Sequence, residues 1–248
     1  MIRAVIFDLD GTLLETEQLK AESYARAAIQ LKPNTFSESK AISAFEDFVG
    51  GSREEVSRGM LNRFGLEESA RARMMEFGAN EPWQVYTRLR LRIFEEIVAD
   101  ESVLKNVAWP HNIDLLNKVR AEQCKVGLAT MSYCPQVERS LRALELERAF
   151  DFIATREDVE NPKPDPEIYL LVAKALEVPP AECMVVEDSV AGVRAGLAAG
   201  SLVLAVATPL TRKKLHESGL LDDHHIVDSP SELQETMTHL MAHHNQKY

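Results

Sequence analysis

Two carboxylates two residues apart, in Asp8-Leu9-Asp10-Gly11-Thr12, follow the apolar run Val5, Ile6 and Phe7. A second acidic pair closes another apolar run at Glu187-Asp188-Ser189, and a third run ends in Thr130-Met131-Ser132. One lysine sits between prolines in Asn161-Pro162-Lys163-Pro164. Four carboxylates in one place repel unless a cation lies among them. An all-oxygen donor set is hard-cation chemistry, so the pattern points to magnesium rather than zinc. Lys163 then needs a second anion to bind.

Taken singly, each piece also suits a plain structural role. Asp-x-Asp-Gly occurs in turns, Lys163 could belong to a rigid surface turn, and Ser189 could cap a helix. Their recurrence, in order, at the ends of successive strands argues for chemistry. The strand candidates are Val5 to Phe7, Lys125 to Thr130, Phe152 to Ala154, Cys183 to Val186 and Leu202 to Val206. Helical spacing follows the later ones, at Val137, Leu141 and Leu144, at Ile168, Val172 and Leu176, and at Val193 and Leu197. Asp165 and Pro166 read as N-cap and first helical residue, and Gly200 as a helix stop. Strands alternating with helices imply an α/β fold, a parallel sheet covered on both faces. Ligands of such sheets bind beyond the carboxyl ends of the strands.

Between the first strand and residue 103 the spacing is helical throughout, as in Ala21, Tyr24, Ala28 and Leu31 or Val56, Met60 and Phe64. The expected organisation is a core of residues 1–14 and 104–248 with an all-helical cap inserted at 15–103. Among the cap side chains Tyr24, Phe45, Trp83, Tyr86 and Arg90, the aromatics are assigned to the cap's own core.

Composition narrows the partners. The 248 residues are 45% hydrophobic and 27% charged, ordinary globular usage. With 28 Lys and Arg against 39 Asp and Glu, the net charge of −11 offers no basic field for nucleic acid or an anionic membrane. No run reaches the roughly 18 apolar residues of a membrane span, and the opening apolar stretch is too short for a signal peptide, so a cytoplasmic location is expected. Cys124, Cys134 and Cys183 lack metal spacing and are expected to be small buried apolar residues; His243-His244 reads as tail sequence.

In DLDGTL at 8 to 13, the lysine-proline segment at 161 to 166 and VVEDSVAGVRAGLAAG at 185 to 200, the chain resembles the haloacid-dehalogenase-like hydrolase superfamily. The likeness is to its helical-cap group, which includes β-phosphoglucomutase and the sugar-phosphate and phosphoglycolate phosphatases. The resemblance implies a Rossmann-like core and a reaction on a small phosphorylated substrate. Asp8 would be the nucleophile that forms an aspartyl-phosphate, and Asp10 the general acid and base. Magnesium would be held by the Asp8 carboxylate, the Asp10 carbonyl and Asp188, with Glu187 assisting. Thr130, with Ser132 nearby, would bind the phosphoryl group, and Lys163 would neutralise nucleophile and phosphate. Asp10 disfavours dehalogenation, because a halide leaves without a proton, and no Schiff-base lysine motif supports phosphorus–carbon cleavage.

In the helical insert, Ser52 and Glu55 fit a capping box that places Arg53 in a helix's first turn, where it can face an anion. In the mutase group an arginine at this place contacts the substrate's distal phosphate. Lys20 stands where mutases and many related phosphatases have a histidine, and Tyr133 where the mutase has a lysine. These departures favour a phosphatase acting on a sugar-phosphate type of metabolite. A phosphosugar mutase is the alternative, followed by a phosphate-binding regulator without turnover.

Overall fold

An unbroken apolar segment, Ala4 to Phe7, escapes water on both faces only inside a covered sheet. In the computed structural model of the chain it does so, with all four residues buried. The structure describes residues 1–247. Its elements in chain order are β1 (Ala4–Phe7), α1 (Glu17–Leu31), α2 (Glu38–Phe45), α3 (Arg53–Phe64), α4 (Glu67–Ala72), α5 (Met74–Phe77), α6 (Pro82–Ile97), α7 (Glu101–Asn106), α8 (Pro110–Ala121), β2 (Lys125–Ala129), α9 (Cys134–Ala143), β3 (Phe152–Ala154), α10 (Glu167–Ala175), β4 (Cys183–Glu187), α11 (Val190–Ala198), β5 (Leu202–Val206), α12 (Arg212–Ser218), β6 (Ile226–Val227) and α13 (Leu233–Lys247). The chain divides into two compact units, Met1–Glu15 with Leu104–Tyr248, and Thr16–Val103.

The first unit is α/β and Rossmann-like. Its sheet has the order β3-β2-β1-β4-β5-β6, and every pairing is parallel. Alternation along the strands sorts side chains between two cores. Val5, Phe7, Met184 and Val186 pack with Leu115 of α8, Leu141 of α9 and Met237 of α13. Ala4, Ile6, Cys183 and Val185 pack on the other face with Ile168, Tyr169 and Val172 of α10 and Val193 of α11.

Several boundaries differ from expectation. β2 stops at Ala129, leaving Thr130 just beyond the strand, and β4 extends to Glu187. The edge strand β6 has two residues, too few to show a period in the sequence. α10 starts at Glu167 with Pro166 in the cap position, and Asp165 still serves it, accepting from the Glu167 N–H at 3.0 Å. Gly200 follows α11 with φ +82°, the stop its sequence position suggests. Of the cysteines only Cys183 is buried; Cys124 is half-buried and Cys134 exposed, because Cys134 opens α9 at the loop after β2.

The described elements of the second unit are all helical, with α1 packed on α2 and α6, and α3 on α6. Tyr24 stacks on Phe45 with ring centroids 5.2 Å apart, and the Tyr86 hydroxyl donates to the Tyr24 carbonyl at 2.7 Å. These three aromatics belong to the unit's core, whereas Trp83 is half-buried. Arg90 is also buried, its guanidinium 4.7 Å from the centroid of the Tyr24 ring. Among the described residues no helix is long and apolar enough to cross a membrane.

Candidate active site

Strand parity assembles the site. In β1 the even positions Ala4 and Ile6 face α10, and Asp8 continues that row past the strand end. In β4 the odd positions Cys183 and Val185 face the same way, and Glu187 ends that row. The register Phe7 to Val186 therefore brings Asp8 beside Glu187. Lys163, in the turn before α10, reaches both.

Its ammonium donates to Asp8 Oδ1 at 2.7 Å, to Glu187 Oε1 at 2.7 Å and to the Ala129 carbonyl at 3.0 Å. An ammonium has three N–H donors, and all three meet protein acceptors. The Lys163 side chain is 5% exposed. Burial opposes its charge, but Asp8 and Glu187 hold its pKa well above the ordinary lysine value. Burial also penalises Glu187, yet the lysine and the Ser189 donors keep that carboxylate below its usual range. Asp8 moves the other way: burial pushes it up to about 7 against the pull of Lys163, and the Glu187 and Asp10 carboxylates add to the rise. Its Oδ2 accepts no hydrogen bond from the described residues.

Glu187 is fully engaged. Oε1 accepts from Lys163 and from the Tyr169 hydroxyl at 3.0 Å. Oε2 accepts from the Asp188 N–H, the Ser189 N–H and the Ser189 hydroxyl at 2.8, 2.8 and 3.0 Å. The carboxylate lies against Gly192 in the first turn of α11, where any Cβ would collide with it. Ser189 also caps α11, accepting from the Gly192 N–H.

Asp10 and the β2 loop meet through Ser132, whose hydroxyl donates to Asp10 Oδ2 at 2.5 Å. The Ser132 N–H donates in turn to Thr130 Oγ1 at 3.1 Å, and the O–H of that buried threonine donates to no described residue. Asn112 of α8 donates to the Thr12 carbonyl at 2.5 Å, bracing the loop after β1. Gly11 has φ +94°, and a Cβ there would overlap the Asp188 carboxylate, so only glycine lets Asp188 lie this close to the Asp8–Asp10 loop.

Asp8 and Asp188 are thus buried carboxylates beside the carbonyl-bearing Asp10 loop, while Lys163 is the cation that Asp8 shares with Glu187. The donors are all oxygen, and the local negative charge exceeds what one lysine offsets. That fits a hard divalent ion. Among the described residues no group of three or more His, Cys, Asp or Glu side chains is arranged to hold a metal.

Asp8, Asp10, Thr130, Ser132, Lys163, Glu187 and Asp188 are therefore gathered in the first unit. Arg53 and Lys20 belong to the second. Arg53 opens α3 within a formed capping box: the Glu55 N–H donates to Ser52 Oγ at 3.2 Å, and the Ser52 N–H to Glu55 Oε2 at 2.7 Å. Lys20 pairs with Glu17 Oε1 at 2.6 Å, one turn earlier on α1. Two participants escaped the sequence reading: Tyr169, which looked like one more apolar position of α10, and Asn112. The signal available for Tyr169 was its place six residues after Lys163.

A family model for haloacid dehalogenase-like hydrolases matches residues 2–200. The chain belongs to that family. A phosphorylated carbohydrates phosphatase of Thermotoga maritima is 32% identical to this haloacid dehalogenase-like hydrolase over 203 residues, 80% of this chain and 82% of its own. The phosphoglycolate phosphatase of Escherichia coli is 28% identical over 206 residues, 80% and 79% of the two chains. Among solved structures, a β-phosphoglucomutase from Clostridium difficile superposes with a TM-score of 0.68 at 26% identity, covering 98% of this chain and all of its own.

Proposed function

We propose that this family member is a magnesium-dependent phosphatase that hydrolyses a small phosphorylated metabolite of sugar-phosphate type through an aspartyl-phosphate on Asp8. The observation that carries this reading is the asymmetry of Asp8: one oxygen held by Lys163, the other unengaged, with Asp10 two residues along. The relatives from T. maritima and E. coli support a phosphorylated substrate. Three free cysteines, one of them exposed, suit the reducing cytoplasm.

In the reaction proposed, Asp8 Oδ2 attacks phosphorus in line, and the bond to the leaving oxygen breaks as Asp10 delivers its proton there. Asp10, now a carboxylate, takes a proton from water. The water oxygen attacks the phosphorus on Asp8, and the Asp8–phosphorus bond breaks to release inorganic phosphate. Thr130 donates its free O–H to a phosphoryl oxygen. Lys163, with its three N–H groups already engaged, acts on the nucleophile it orients rather than by gripping the phosphate. Magnesium held by Asp8, the Asp10 carbonyl and Asp188 would shield the dianionic substrate from the carboxylates it must approach. Glu187 serves Lys163 and the turn into α11 and leaves the metal to Asp188.

The test is a panel of phosphorylated metabolites incubated with magnesium or with EDTA. Magnesium-dependent phosphate release supports hydrolysis. Isomerisation with little release would replace the phosphatase by the mutase, and binding without turnover would leave a regulator.

A further inference from the structure

Lys163 raises a problem of placement. Its backbone lies in a turn, and its charge sits at the end of a flexible four-carbon stem, yet its ammonium rests against a single oxygen of Asp8. Asp8, Glu187 and the Ala129 carbonyl take its three hydrogen bonds. A further side is closed by an aromatic face, for the ring of Tyr169 lies 4.9 Å from Nζ.

Tyr169 acts on the lysine a second time. Its hydroxyl donates to Glu187 Oε1, the oxygen that also accepts from Lys163. Glu187 Oε2 is already pinned by three donors at the start of α11. The tyrosine hydroxyl therefore fixes the one oxygen whose direction the lysine follows. Tyr169 itself is fully buried among Ile168, Val172 and Val185, so packing sets its ring, and both contacts are preorganised.

We propose that Tyr169 is a positioning residue for the reaction, holding the Lys163 ammonium against Asp8 through its ring and, by way of Glu187, through its hydroxyl. The inference rests on the phosphatase reading for its consequence and on these contacts for its substance. Phenylalanine keeps the ring but leaves Glu187 Oε1 one donor short, and leucine removes the aromatic face as well.

The experiment compares wild type, Tyr169→Phe, Tyr169→Leu, Glu187→Gln and the Tyr169→Phe/Glu187→Gln double variant in magnesium-dependent phosphate release. In parallel, NMR follows solvent exchange of the Lys163 ammonium in protein carrying 15N-lysine, the resonance being assigned by its loss in Lys163→Met. Tyr169→Phe is expected to lower kcat by about tenfold, the scale of one hydrogen bond to a charged group, with KM changed by less than about twofold. Tyr169→Leu is expected to lose on the order of 100-fold, the scale of a misplaced reacting group. In the Glu187→Gln background, Tyr169→Phe is expected to add less than about twofold, because its route is already cut. Ammonium exchange is expected to quicken by about tenfold in both tyrosine variants, in Tyr169→Phe because Glu187 Oε1 is held less firmly and in Tyr169→Leu because the aromatic face is lost as well.

A Tyr169→Phe enzyme with wild-type kcat and wild-type exchange overturns the proposal. So does a loss of thermal stability without a loss of kcat per folded molecule, or a full multiplication of effects in the double variant. Should the wild type release phosphate from no compound in the panel, the phosphatase reading falls by itself. Ammonium exchange then decides the positioning role alone: quickened exchange supports it, and unchanged exchange overturns it.

Discussion

The Ser132 hydroxyl donates to Asp10 Oδ2 at 2.5 Å, joining two residues 122 positions apart. Sequence resemblance assigns Ser132 to the substrate, but the structure places its hydroxyl on a neighbouring carboxylate. A group that must deliver a proton to one oxygen gains from having its other oxygen held. Ser132→Ala is therefore expected to lower kcat by about tenfold, the size of one charge-assisted hydrogen bond, with KM nearly unchanged. Steady-state kinetics on any accepted phosphomonoester checks this; a rise in KM at constant kcat would return Ser132 to substrate binding.

Asp8→Asn tests the nucleophile. Turnover is expected to fall by more than about 1000-fold, the scale seen when a covalent nucleophile is removed. Stability is expected to hold or rise in EDTA, because the variant removes a carboxyl that burial penalises. Phosphate release and thermal melting of the same preparation measure the two effects separately.

Divalent-ion removal reaches the same cluster from another side. Magnesium is expected to raise the melting temperature of the wild type, since a ligand that binds only the folded chain stabilises it by mass action. Asp188→Asn is expected to lose most of that rise while melting cooperatively in EDTA. An equal rise in both proteins would place the ion elsewhere.

His216 carries a pH dependence unrelated to catalysis. Its ring nitrogens face Asp228 at 3.1 Å and Asp223 at 3.1 Å, and Arg212 shares Asp228. The hydrogen bond to Asp228, then that to Asp223, raise the histidine above its ordinary 6.5. A raised folded-state pKa means that the protonated ring stabilises the fold fully below about pH 6.5, and that this contribution is lost as pH rises through the folded value. Melting curves between about pH 6 and about pH 8.5 are expected to show the wild type losing stability relative to His216→Gln. Parallel curves would show that the pairing leaves stability unchanged.

The residue order alone determined which chemistry the molecule can hold. Carboxylates after Phe7 and Val186 and hydroxyls after Ala129 stand at strand ends and a lysine stands before α10, while period-two alternation sets Asp8 in line with Ala4 and Ile6, and Glu187 in line with Cys183 and Val185. Spacing rules of this kind act within one element, where the backbone repeat decides direction. They do not reach across elements. That Ser132 serves Asp10, that all three Lys163 donors are spent on protein, that Tyr169 closes over the lysine and that Asp188 rests on Gly11 depend on register and side-chain packing between segments far apart in the chain. The two-residue β6 and the exposed Cys134 escaped for the same reason: a pairing partner creates the first, and position at a helix start creates the second. Tertiary structure thus decided which oxygen of Asp8 is held and which is left to react, because only packing brings the Lys163 ammonium within 3 Å of one and not the other.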